Sequence, residues 1–203
     1  MDKLEDEARQ EILNGVSKCP RTSIAGYPSY YKSQHVQIDN DYYVRDEEIV
    51  YIKTCKTRIL AGGNNSIHHR ITWFADESVE FTSLSKGISI EMLEMHDTNI
   101  NYNVVFDETL EKGKEVEYSV KVVLSNKNKH FKRFFSSEII TPIENLDIHL
   151  NIEDKSVQKV YTQKISSSPM NVRTEHSVEH DLLSTFHWHI RKPELNFEYK
   201  VYW

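Results

Sequence analysis

The sequence predicts an all-β protein, mainly an antiparallel β-sandwich of immunoglobulin-like or jelly-roll-like kind, with one short N-terminal α-helix. Three observations carry that expectation. From about Gln34 onward, short runs rich in β-branched and aromatic residues alternate with stops at Asn, Asp, Ser, Lys or Gly. No run of helical periodicity separates one such segment from the next, which argues against a βαβ arrangement. The chain's 203 residues are enough for one large β domain with a real core.

Residues 1–18 form the helix or arm of this reading. Leu4, Ala8 and Ile12 recur at four-residue spacing, Asp2, Glu5, Asp6 and Glu7 load the first turn, and Gly15 supplies a stop. The narrow apolar stripe suits a cap on a sheet edge or a contact arm. Residues 19–33, with Pro20, Gly26, Pro28 and several Ser, read as an extended connector. Residues 34–203 read as a single sandwich domain.

Its clearest strand runs are Tyr42 to Tyr51, Ile67 to Phe74, Val79 to Phe81, Ile88 to Leu93, Glu115 to Leu124, His130 to Ile140, Leu146 to Ile152, Val157 to Ile165, Phe186 to Ile190 and Phe197 to Trp203. Val116, Tyr118 and Val120 give the strongest alternation, after a turn at Glu111-Lys112-Gly113-Lys114. Ser125 to Lys129 reads as a hairpin turn, and Ser166 to about His180 as a polar loop.

Charge narrows the function classes. With 25 Lys+Arg against 31 Asp+Glu and a net charge of −6, the whole surface is not a polyanion footprint. An acidic N-terminus is unlike a secretory signal, and no apolar run is long enough to span a membrane, so the expectation is a cytoplasmic protein with no membrane partner. Cys19 and Cys55 are too few for a disulfide framework and read as free thiols, Cys55 as a small buried residue. No phosphate-cradling GxGxxG or GxxxxGK[ST] and no GxSxG elbow occurs. The balance therefore leans away from an enzyme, and no catalytic residue is assigned.

Three groups of residues could carry binding chemistry. The first is metal ligation. His187 and His189 share one strand face about 6.6–6.8 Å apart along the strand, within reach of one ion. Paired as a hairpin with Phe197 to Trp203, that face would include Glu198, and Glu198, His176 or His180 could complete a site for a divalent metal such as Zn, Fe or Mn. No cofactor is required by the rest of the chain. The fragment His187-Trp188-His189-Ile190-Arg191-Lys192-Pro193-Glu194 resembles the first cupin motif, which implies two His and a later Glu on a metal. The resemblance covers those eight residues; no Gly follows at the expected place and no second motif follows, so the cupin site is not carried over. His69, on a strand with Ile67 and Ile71, reads as a hydrogen-bonded, semi-buried residue.

The second group is basic and aromatic. Lys127, Lys129, His130, Lys132 and Arg133, interleaved with Phe131, Phe134 and Phe135, would suit a small anionic ligand, a nucleotide or a nucleic acid at a hairpin. The third is an interaction surface from Leu4, Ala8 and Ile12 together with Tyr27, Tyr30 and Tyr31. The favoured reading is a non-enzymatic binding module that recognises a protein partner, a second copy of itself or a small ligand through loops or a sheet face. The C-terminal spacing of Trp188, Ile190, Pro193, Tyr199, Val201 and Trp203 resembles bacterial β-rich modules attached to regulatory or defence proteins, which implies a sensor or accessory role as one alternative; a His-ligated metal protein or metalloenzyme is another.

Overall fold

The computed structural model describes residues 33–72, 78–96, 99–125, 133–166, 177–182 and 185–203. Among them there is no helix, and thirteen strands form three sheets. The expected helix and most of the connector lie outside the described residues, as do Leu4, Ala8, Ile12, Tyr27, Tyr30 and Tyr31.

The largest sheet has six strands in the order β12 (Thr185–Arg191), β9 (Asn145–Ile152), β1 (Ser33–Val44), β2 (Glu48–Ile59), β7 (Glu115–Ser125) and β4 (Val79–Ser83). A four-stranded sheet runs β11 (Val178–Asp181), β10 (Lys159–Ser166), β13 (Phe197–Tyr202), β8 (Phe134–Ile139). The third contains β3 (Asn64–Thr72), β6 (Asn99–Leu110) and β5 (Ile88–His96). All the pairings are antiparallel except β1 with β9.

Period-two alternation decides which face of the six-stranded sheet is buried. Ile49, Tyr51, Cys55, Thr57 and Ile59 of β2 lie opposite Leu124, Val122, Tyr118 and Val116 of β7 or beside them, and they point inward with Leu146, Ile148 and Leu150 of β9. The other two sheets divide this inner face between them. The four-stranded sheet meets the β12–β9–β1 half, with Phe135 stacked on Tyr42 at 3.8 Å between ring centroids and Tyr199 edge-on to Trp188 at 5.7 Å. The three-stranded sheet meets the β7–β4 half, where Phe106 packs edge-on to Tyr118 and Tyr102 against Phe81. One apolar cluster runs through all three sheets.

Several local expectations change. The run Tyr42 to Tyr51 is two strands, because Arg45 to Glu47 turn the chain. The Arg45 N–H donates to the Glu48 carbonyl, and the Arg45 guanidinium reaches Glu48 and Glu153 at 2.8 and 3.1 Å. The segment before His180 contains a strand, β11, which pairs with β10. β7 and β8 do not form a hairpin: β7 pairs with β2 and β4, and β8 with β13. Residues 126–132 therefore join two different sheets.

β12 and β13 do not form a hairpin either. β12 pairs with β9, and β13 with β10 and β8. A hairpin would put their inward residues on one face; instead Trp188 and Tyr199 meet across the core. The connection is a corner rather than a tight hairpin turn. Lys192 and Asn196 both have positive φ, 49° and 61°, and their N–H groups donate to the carbonyls of Glu144, just before β9, and of Ile139 at the end of β8.

Candidate metal centre

The outer face of β9 and β12 is built by the same alternation that fills the core. Leu146, Ile148 and Leu150 point inward, so Asp147 and His149 point outward; Phe186, Trp188 and Ile190 turn inward, so His187 and His189 point outward. Antiparallel register sets His187 opposite His149 and His189 opposite Asp147. Two strand segments of the form Asp-x-His and His-x-His thus make a cross-strand quartet.

The distances within it are short. His187 Nε2 and His189 Nδ1 each lie 2.8 Å from the same carboxylate oxygen, Asp147 Oδ1. The imidazoles of His149 and His187 stack in parallel, 4.1 Å apart and 8° from coplanar. Ligand atoms of Asp147, His149 and His187 all lie within 4.8 Å of one another. Two donors on a tetrahedral ion with bonds near 2.0–2.1 Å sit roughly 3.3 Å apart, so a cation fits after side-chain shifts of about an ångström or less.

Asp147 is the anchor. Its side chain is 12% exposed, against 49% for His187 and 52% for His189. Burial opposes its ionisation, yet the two imidazole hydrogen bonds outweigh burial and hold the carboxyl below its ordinary range. An ionised Asp147 accepts only, so both contacting ring nitrogens carry hydrogen. Asp39 lies beside it in register on β1. There burial raises the carboxyl, two hydrogen bonds from Gln37 Nε2 pull it back, and the charge of Asp147 adds to the rise. Two adjacent carboxylates below three imidazoles give the face a negative floor.

The remaining residues singled out in the sequence fall elsewhere. Glu198 is in β13, opposite Glu138 and Ile165 in the four-stranded sheet, and does not join the histidines. His180 is bonded to Thr162 Oγ1 at 3.0 Å and packs against Phe186, whose side chain points away from the quartet. His176 lies outside the described residues, as do Lys127, Lys129, His130 and Lys132. Arg133 is exposed just before β8, its carbonyl accepting from the Trp203 N–H. The members of the quartet missed in the sequence are Asp147 and His149. The signal was present in the apolar-polar alternation Leu146-Asp147-Ile148-His149-Leu150, but only strand pairing identifies it as the neighbour of His187 and His189.

A second histidine cluster lies on the inner face. His69, 3% exposed and more deeply buried than its sequence suggested, is held by Lys53 Nζ at 3.3 Å from Nδ1 and by Tyr118 OH at 2.7 Å from Nε2. His35 stacks on it at 5.2 Å and is bonded through Nδ1 to Thr57 Oγ1 at 2.8 Å. Burial and the Lys53 charge together lower His35 to about 3 and hold His69 well below its ordinary value. Cys55 is fully buried, and that burial pushes its thiol up.

No family model matches the chain, and no curated protein matches it in sequence. Among solved structures it is similar to a suspected protease from Parabacteroides distasonis ATCC 8503, with a TM-score of 0.50 and 9% sequence identity. The match covers 85% of this chain and 40% of that one, so the chain spans two-fifths of the length of the protein it resembles. At that identity the likeness concerns the fold alone.

Proposed function

We propose that this chain is a binding module that holds a divalent transition-metal cation on the outer face of its six-stranded sheet. One observation carries the reading: Asp147, His149 and His187 bring ligand atoms within 4.8 Å of one another on two paired strands, with His189 on the same carboxylate. Imidazole and carboxylate together suit Zn(II), Fe(II) or Mn(II), and strands hold such ligands more rigidly than loops do.

Three protein ligands leave coordination positions facing solvent. The cation would then serve as the point at which a carboxylate or phosphate of a partner or small ligand is gripped, which joins the metal to a recognition role. The expected β-sandwich, immunoglobulin-like or jelly-roll-like, is supported by the way two smaller sheets cover one face of the large one, while no sheet of the described residues covers the other. Asp147 would stay ionised and set the orientation of the imidazoles. The metal would take the lone pair of a neutral imidazole, whose single hydrogen moves to the other ring nitrogen where the hydrogen bond to Asp147 has to be given up, so protons compete with the metal and binding weakens in acid.

The test is a titration of metal-stripped protein with Zn(II), followed by calorimetry and native mass spectrometry. One equivalent should bind, and His149→Ala or His187→Ala should weaken it at least roughly tenfold, with Asp147→Asn in the range of about 10- to 100-fold. Stoichiometric Zn(II) binding of equal strength in all three variants would rule the site out.

A further inference from the structure

We propose that the buried cluster of His35, Cys55 and His69, at the junction of the six-stranded and three-stranded sheets, is a second metal site, one selective for Cu(I). The ligand atoms of these three residues lie within 4.8 Å of one another. Two imidazoles and one thiolate form a soft donor set of low coordination number, which favours Cu(I) over harder ions.

The hydrogen bonds around the cluster leave donors for a metal. Lys53 Nζ donates to His69 Nδ1, so His69 donates from Nε2 to Tyr118 OH. Thr57 Oγ1 donates to the same phenol at 3.4 Å and accepts from His35 Nδ1. That spends the ring hydrogen of His35 on Thr57 and leaves its Nε2 lone pair for another partner. Tyr118 lies opposite Cys55 in register, and its phenol hydrogen favours the ionised sulfur over the thiol. The phenol is thus placed to stabilise a thiolate and to fix one imidazole at once, as a supporting group around a metal does. His35, partly exposed, is the one member of the trio that reaches the surface and gives the cation a way in.

Lys53 supplies the selectivity. A Zn(II) thiolate complex would leave a net positive charge beside the Lys53 cation in a buried place, whereas Cu(I) with one thiolate is neutral. Binding takes the form of exchange: the Cys55 S–H bond breaks, its proton leaves to solvent, a sulfur–copper bond forms, and no electron is transferred. Lys53 gives up its contact with His69 Nδ1 as the copper takes that nitrogen.

The experiment is an anaerobic titration with Cu(I) against a chromophoric competitor, in the full chain carrying Cys19→Ser so that Cys55 is the only sulfur donor from cysteine. One equivalent should bind with a sulfur-to-copper absorption band, and X-ray absorption should find one sulfur and two nitrogen neighbours. Cys55→Ser should abolish the band. Lys53→Met should tighten Cu(I) about tenfold, the worth of one hydrogen bond to a charged group, and should admit Zn(II) as well. The Lys53 variant is independent of any folding defect in the cysteine variant. Absence of the band in the Cys19→Ser chain would overturn the proposal and leave a hydrogen-bonded network that fastens two sheets. An affinity unmoved by Lys53→Met would overturn it equally.

Discussion

A histidine cluster lies against each face of the six-stranded sheet: the outer one is built from alternate residues of the paired strands β9 and β12, the inner one from His35 of β1 and His69 of β3, across the contact between two sheets. Their surroundings make them different materials. On the inner face His35 and His69 are desolvated, kept neutral and tied to Lys53, Thr57 and Tyr118. On the outer face His187 and His189 are about half exposed and share a carboxylate that remains ionised. Burial turns an imidazole into a packing and hydrogen-bonding unit whose charge would be costly; exposure beside a carboxylate leaves it a ligand or proton carrier. In the metal-free protein the inner cluster should therefore show itself chiefly through stability, and the outer one through binding.

The sharpest way to separate the faces is to cut each in turn. Tyr102 stacks on His69 and is 1% exposed, so Tyr102→Ala should cost about 3–5 kcal/mol in urea unfolding. Acid gives the next largest effect. His35 and His69 have folded values depressed below the unfolded 6.5, so the unfolded chain binds more protons; the stability they allow is complete above that pH and is lost as pH falls through 6.5 towards about 3. For two such histidines the metal-free protein should lose roughly 3 kcal/mol between about pH 6.5 and pH 5, read from midpoints of denaturant unfolding at each pH. A flat profile across that window would show that the inner histidines are not held neutral.

Smaller still is Tyr118→Phe. It removes the hydroxyl that serves His69 and Thr57 while keeping the ring, and should cost about 1–3 kcal/mol. At the bottom of the scale stands His187→Ala, whose ring is half in solvent: stability should stay within about 0.5 kcal/mol while Zn(II) affinity drops. A large loss of stability there would erase the distinction between the two faces.

Part of this was legible before any strand was paired. The apolar rhythm of Val116, Tyr118 and Val120 marks a strand with one buried face, and that strand is β7. His187 and His189 on one face follow from a period of two, and so does their separation from Trp188. The failure at the histidines has one cause. Phe186 to Ile190 was assigned to its sequence neighbour Phe197 to Trp203, yet it pairs with β9, some 40 residues earlier in the chain. A hairpin is the cheapest pairing only when the intervening residues allow a tight turn, and Lys192 and Asn196 make a corner instead. With that partner came Glu198 as the expected neighbour of the histidines, whereas Asp147 and His149 are the residues that stand beside them.

Alone, the sequence determined local quantities: which stretches are extended, which residues of each alternate, and that His187 and His189 point the same way. These depend on the backbone period and on the fit of β-branched and aromatic side chains to a pleated surface, both set within a few residues. Partner choice and burial were decided only by the tertiary structure. Asp147 comes to lie beneath two imidazoles because β9 runs between β1 and β12, and His69 is neutral because the three-stranded sheet closes over Tyr118. Both depend on residues far apart in the chain, whose pairing follows from the total apolar surface buried and not from any local pattern.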